Sequence, residues 1–149
     1  MRIIILTYMT TLNYRVLLRK EPEGGFTVTV PSLPGCVTFG DTIEESIEMA
    51  KEAIELAVDR PKFKVTIYPG KRGTFGVQAN DETALLALAL RQLRAMSGRT
   101  IREVARRLGS ASPTAYSQYE SGRRKPSVEK LAQLLRAIDD ELVPVITLP

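Results

Sequence analysis

The sequence contains no histidine and no tryptophan, and it has a single cysteine, Cys36. A lone cysteine excludes an intramolecular disulfide. Without histidine, zinc sites of the usual Cys/His kind fall away, as do catalytic arrangements in which an imidazole activates a serine or a thiol. No metal, cofactor or catalytic residue is therefore expected. Long apolar runs are missing too. The richest stretch, Ile3-Ile4-Ile5-Leu6, is far too short to span a membrane and lacks a signal-peptide cleavage pattern. A reducing cytoplasm with no membrane partner fits these absences best, and Met9 stands as a second candidate start.

What is present is the composition of an ordinary globular chain, 149 residues long, 44% hydrophobic and 26% charged, with room for one domain or two small ones. The net charge of +4 is unevenly placed. From Arg91 to Lys125 nine Lys or Arg face only two acids, Glu103 and Glu120, whereas Met1 to Asn80 holds ten bases and nine acids. The excess positive charge belongs to the second half.

Along the first half, Tyr14–Arg19 reads as a strand, Gly24-Gly25 as a hairpin turn, and Phe26–Val30 alternates apolar and hydroxyl side chains with period two, so the two strands should pair antiparallel. Pro31–Gly35 interrupts the sheet and Cys36–Phe39 resumes it. Thr42, with Glu45 three residues on, opens a helix through a capping box. On that helix Ile43, Ile47, Ala50, Ile54 and Ala57 share one face, and Glu44, Glu48, Glu52 and Glu55 fall largely on the other. Pro61 stops it, and Phe63, Val65 and Ile67 mark another strand. The Gly-rich, polar stretch from Pro69 to Asp81 reads as a connector, placing a boundary near Asn80 between a domain at 1–80 and another at 81–149. Neither half exceeds about 80 residues, so each core is small and a homodimer or homotetramer would add stability. Four helical patterns follow: Thr83–Met96, Thr100–Leu108, Pro113–Glu120 and Val128–Ile138. The apolar tail, with Val143, Val145 and Ile146, is expected to add a strand that pairs across a dimer.

The second half has the pattern of a helix-turn-helix that reads DNA. Thr100 caps one short helix, Gly109 ends it, and Ser112 followed by Pro113 caps and starts the next. On this second helix Tyr116 and Tyr119 should face the core. Thr114, Ser117 and Gln118 then point outward, as short side chains and amides suited to base edges, and Arg123, Arg124 and Lys125 suit phosphate oxygens. Thr100 and Ser112 complete the candidate DNA-binding set. The segment from Leu85 to Ile138 resembles the Cro and phage-repressor family. That resemblance makes Arg94 and Glu120 a structural ion pair between the first and third helices. Gly109 and Ser117 stand one residue further apart than is usual there, so Ser110–Ser112 must bulge.

The run Gly25-Phe-Thr-Val-Thr-Val-Pro-Ser-Leu-Pro-Gly-Cys36, together with Gly40-Asp-Thr-Ile-Glu-Glu-Ser46, resembles the HicB antitoxin family. The resemblance implies an α+β fold: a small N-terminal mixed sheet with one long helix, partly ribonuclease-H-like, followed by an all-α helix-turn-helix domain. It also implies a toxin–antitoxin pair, in which the first domain neutralises a HicA-like, RNA-cleaving toxin and the second represses the shared operon by binding operator DNA. For toxin contact the candidates are Pro31, Leu33, Pro34 and Gly35, a turn with few backbone states to lose on binding, and Glu44 and Glu48, acids that would steer a basic partner.

Two other classes compete with this reading. A ribonuclease-H-like nuclease needs clustered carboxylates for two metals, one of them on the first strand, and Tyr14–Arg19 contains no acid. Asp41, Glu44 and Glu45 are accounted for by the positive end of the helix dipole. A stand-alone transcription regulator whose first domain senses something else, or a structural adaptor, differs from an antitoxin in what lies next to it: a short basic reading frame with one key histidine marks the antitoxin.

Overall fold

Alternating apolar and hydroxyl residues build the central hairpin. In the computed structural model, which describes the backbone of residues 2–9 and 11–146 and the side chains of 14–142, β2 (Thr11–Lys20) turns at residues 21–25 into β3 (Phe26–Thr29). Their antiparallel register sets Leu17 opposite Thr29 and Lys20 opposite Phe26, and β4 (Val37–Gly40) continues the sheet with Val37 opposite Thr29. Tyr14, Val16, Val28 and Val30 point to the covered side and are wholly buried.

Helix α1 (Ile43–Val58) lies on that side. Thr42 accepts the Glu45 amide at 3.1 Å, and the Glu45 carboxylate accepts from the amide of Asp41, one residue before the cap. The buried face runs through Ser46, Ala50, Ile54 and Val58, while Ile43 remains 45% exposed. The face is rotated from the one expected because Gly40 has no side chain: a Cβ there would lie 2.5 Å from the Ser46 nitrogen, so the helix seats its first turn directly on β4. Glu55 also departs from the solvent face, since its carboxylate accepts from Lys64 Nζ at 2.8 Å and from the Val65 amide at 3.1 Å.

The strand expected around Val65 and Ile67 forms, and the stretch expected as a connector supplies the turn and second strand of a hairpin with it. Strands β5 (Val65–Pro69) and β6 (Phe75–Ala79) pair antiparallel, and β6 pairs with β2, Val77 opposite Tyr14. Phe75, Val77 and Ala79 do alternate with Gly76 and Gln78, but glycine and amide side chains hide that period. Asn80 is tied back to β5, accepting the Lys64 amide at 3.0 Å and donating to the Lys62 carbonyl at 2.7 Å.

The tail requires a further correction. Strand β7 (Leu142–Ile146) pairs in parallel with β1 (Arg2–Met9) of the same chain, Arg2 opposite Leu142 and Leu6 opposite Ile146, and not across a dimer. The β-branched run Ile3–Ile5 supplies the strand that accepts it, and β7 holds Pro144 because it lies at the edge of the sheet.

Helices α2 (Glu82–Ser97), α3 (Ile101–Arg107), α4 (Pro113–Glu120) and α5 (Val128–Ile138) follow the sequence patterns closely. Asp81 caps α2 by accepting the Ala84 amide at 3.0 Å. Every residue from Ala84 to Leu90 is buried, as in a helix packed on all sides. Leu86, Ala89, Leu90 and Leu93 of α2 line one small cavity together with Tyr14 and Ser32 and with Leu131 and Leu135 of α5, so a continuous core joins the sheet to the helices where two separate small cores were expected. No helix among the described residues is long and apolar enough to cross a membrane.

Candidate nucleic-acid interface

Helix α3 begins with a full capping box. The Thr100 hydroxyl accepts the Glu103 amide at 3.2 Å, and the Glu103 carboxylate takes the Thr100 amide at 2.7 Å. The Thr-x-x-Glu spacing signals this directly. Thr100 is exposed, with its hydroxyl committed to the cap. Gly109 has φ of 75°, and the following turn is closed by its own side chains, Ser110 Oγ donating to the Ser112 carbonyl at 2.9 Å. This accommodates the longer turn. Ser112 Oγ then accepts the Thr114 amide at 3.2 Å and Pro113 occupies the first turn of α4.

On α4, Thr114 and Ala115 are exposed, Ser117 and Gln118 are half-buried, and Ser117 Oγ donates to the Thr114 carbonyl at 2.9 Å. Ala115 was not singled out from sequence, although it follows Thr114 on the same outward side. Arg102 and Arg106 of α3 are exposed as well and add to the positive face. Arg123, Arg124 and Lys125 are all exposed at the end of α4, and the Arg124 guanidinium stands 5.4 Å from the Tyr119 ring centroid, a cation–π contact that holds it in place.

Behind this face Tyr116 and Tyr119 are buried, and with them Glu120, at 5% exposure. Arg94 of α2 grips the Glu120 carboxylate with two hydrogen bonds, Nε to Oε1 at 2.6 Å and Nη2 to Oε2 at 3.0 Å, while Nη1 donates to the Arg99 carbonyl at 3.0 Å. The Tyr116 hydroxyl donates to the same carboxylate. This network fixes α4 against α2 and the start of α3. The hydrogen bond to Glu120 raises the Arg94 pKa further.

Burial, reinforced by the hydrogen bond to Glu120, pushes the Tyr116 phenol above its ordinary value of 10.0, and burial does the same for Tyr14. Above pH about 10 the unfolded chain loses phenolic protons that the native chain keeps, so stability falls as pH rises. Melting temperature should be independent of these groups up to pH about 9.5 and decline beyond it, less steeply in Tyr116→Phe. Circular dichroism melts across that range, with tyrosinate absorbance recorded in parallel, measure it.

The turn from Pro31 to Gly35 lies against α2. Pro31 and Gly35 are exposed and Pro34 is half-buried. Leu33, expected to face a partner, is fully buried and anchors the turn in the core, so it leaves the contact set. Gln92 of α2 holds the end of the turn: its Oε1 accepts the Gly35 amide at 3.1 Å and its amide approaches Cys36 Sγ at 3.7 Å. A Cβ on Gly35 would lie 2.7 Å from Gln92 Nε2, so a side chain there would displace the Gln92 amide from this position. Burial raises the pKa of the Cys36 thiol. Glu44 and Glu48 are exposed, Glu48 3.9 Å from Lys51.

These two halves are each matched by a known family. The profile described as HicB-like antitoxin of bacterial toxin–antitoxin systems matches residues 14–72, and the helix-turn-helix profile matches residues 90–141. A UPF0150 protein of Synechocystis sp. is 51% identical over 47 residues, 32% of this chain and 60% of that protein. A UPF0150 protein of Archaeoglobus fulgidus is 39% identical over 51 residues, 34% of this chain and 74% of its own length. Antitoxin HicB of Escherichia coli K12 is 40% identical over 48 residues, 32% of this chain and 35% of the relative, so the chain spans about a third of that protein's length. With the HicB-like sequence lying on the sheet and α1, and a helix-turn-helix following it, this chain carries a HicB-like antitoxin domain and belongs to the family of the UPF0150 proteins.

Proposed function

We propose that this chain is the antitoxin of a two-gene pair: residues 1–80 bind and neutralise a HicA-like, RNA-cleaving toxin, and residues 81–149 repress the shared operon by binding its operator. The observation that carries this reading is the union, in one chain, of a HicB-like half and a helix-turn-helix half with a surplus of exposed arginine. In this reading Thr114, Ser117 and Gln118, with Ala115 beside them, meet base edges. Ser112, Arg123, Arg124 and Lys125 meet phosphates, and Thr100, whose hydroxyl is committed to Glu103, serves the interface by capping α3. A dimer, or a tetramer built from dimers, sets two copies of α4 about one helical turn apart on a palindromic site.

For the toxin we propose the surface formed by Pro31, Pro34 and Gly35 together with Glu44 and Glu48. Exposed Ile43, Val37 and Phe39 lie near in the chain, at 45%, 59% and 47% exposure. Apolar groups bordered by acids suit a basic protein partner better than a nucleic acid. The protein acts here by binding rather than catalysis, in the cytoplasm where toxin and operator are found.

Electrophoretic mobility shift with purified full-length protein tests the DNA half. A duplex from immediately upstream of its own reading frame should be retarded at concentrations where a scrambled duplex is not. Equal retardation of both would reduce the binding to nonspecific attraction.

A further inference from the structure

The DNA-reading helix ends against the first half of the chain, at Arg60. This residue follows α1 directly after Asp59, whose backbone adopts the left-handed conformation at φ 50° and ψ 52°. Its own backbone is pinned, because it precedes Pro61 and its carbonyl accepts the Phe63 amide at 3.2 Å. From that fixed base the guanidinium donates through Nη2 to the Ser121 carbonyl, at the C-terminal end of α4, and Nη1 stands 3.6 Å from Asp81 Oδ2. Gly122 completes the contact. Its φ is +71°, and a Cβ built there would lie 2.6 Å from Arg60 Nη2, so only glycine permits both the turn and the approach.

Three features make this a device for orienting the helix. A cation at a helix C-terminus satisfies carbonyls that have no partner within the helix and opposes the negative end of its dipole. Asp81 caps α2 and also faces Arg60, so one carboxylate links the start of α2 to the end of α4 through the guanidinium. The chain leaving that point is Arg123–Lys125, and its amides are closed onto the same last turn, Arg123 and Arg124 both donating to the Gln118 carbonyl, at 3.0 and 3.2 Å. Whatever fixes Ser121 and Gly122 fixes the direction in which these cations leave the helix.

We propose that Arg60 is a positioning residue for DNA reading: by capping α4 from the first half of the chain, with Asp81 as its tether, it sets the course of Arg123–Lys125. The idea rests on the DNA-binding reading above, and its test separates the two. Arg60→Ala and Asp81→Ser are compared with the native full chain. Serine retains the N-cap of α2 and removes only the carboxylate.

Both variants should bind the upstream duplex at least roughly fivefold more weakly, with the dependence of log K on log salt unchanged. In Arg60→Ala, hydrogen exchange of the Gly122, Arg123 and Arg124 amides should quicken about tenfold or more, while the α5 amides keep their rates. Unchanged exchange at Gly122–Arg124 in Arg60→Ala overturns the proposal, whether or not the protein binds the duplex. So does a salt slope that falls by about one in Arg60→Ala while Asp81→Ser binds normally, since Arg60 would then be a phosphate ligand. If the native chain ignores the duplex, the DNA reading falls and the exchange rates still decide the role of Arg60.

Discussion

Arg94→Ala should lower the melting temperature by roughly 10 °C and abolish operator binding with it. Glu120 is 5% exposed and its carboxylate is held by two hydrogen bonds from Arg94 and one from Tyr116. Removing the guanidinium leaves a buried charge with a single phenol as donor, a loss of about 3–5 kcal/mol. For a chain of this length each kcal/mol moves the midpoint by about 2–4 °C. The cost comes from the orphaned carboxylate more than from the attraction lost. The double variant Arg94→Met with Glu120→Leu should therefore recover most of the melting temperature, because it removes both charges and fills similar volume. Circular dichroism melts of the native chain, the single and the double variant measure this. An unchanged melt for Arg94→Ala would show that the pair contributes nothing to folding.

The second large effect is expected in binding, with the fold left intact. Alanine at Arg123, Arg124 and Lys125 removes three exposed cations from the end of α4, and the contact of Arg124 with the buried Tyr119 ring goes with them. Operator affinity should fall on the order of a hundredfold at low salt, and the slope of log K against log salt should become shallower by up to about three ions. Because these contacts go to phosphate, the loss should be similar for operator and scrambled DNA, leaving the ratio between them nearly unchanged. Arg124 carries a small additional term through its contact with Tyr119, at 5.4 Å from the ring centroid, so its single replacement should also loosen the helix end slightly. Fluorescence anisotropy at several salt concentrations, paired with a thermal melt, separates lost contacts from lost structure.

How much of this was legible in the sequence follows from how local each cause is. Helices α4 and α5 begin where their caps and prolines place them, because Ser112, Pro113 and Ser127 act within one turn. The Thr-x-x-Glu box of α3 is equally local. The Arg94–Glu120 pair was reached through resemblance, not spacing, since 26 residues separate the partners.

Features decided by tertiary packing were hidden. Leu33 sits between residues of turn chemistry and reads as surface, but it is drawn inward by the core behind it. Ile43 has the periodicity of a buried residue and is exposed, because Gly40 lets the helix settle on Ser46 instead. Strand β6 reads as part of a linker because Gly76 and Gln78 mask the alternation of Phe75, Val77 and Ala79, whereas the strand marked by Phe63, Val65 and Ile67 is legible. The contacts of Gln92 with Gly35 and of Arg60 with Ser121 span 57 and 61 positions, and no local pattern announces them. These are the contacts that join the HicB-like half to the DNA-reading half. The continuous core through α2 makes each half part of the other's stability, so binding at one is expected to be felt at the other.

The central claim is that this chain neutralises a toxin encoded beside it. The most direct measurement is growth of cells expressing the adjacent reading frame alone and together with this full-length chain. The neighbouring product alone should arrest growth. Co-expression should restore growth, with both proteins recovered in one complex. Growth that stays arrested although this chain is present and folded, or a neighbour that is harmless by itself, would contradict the account.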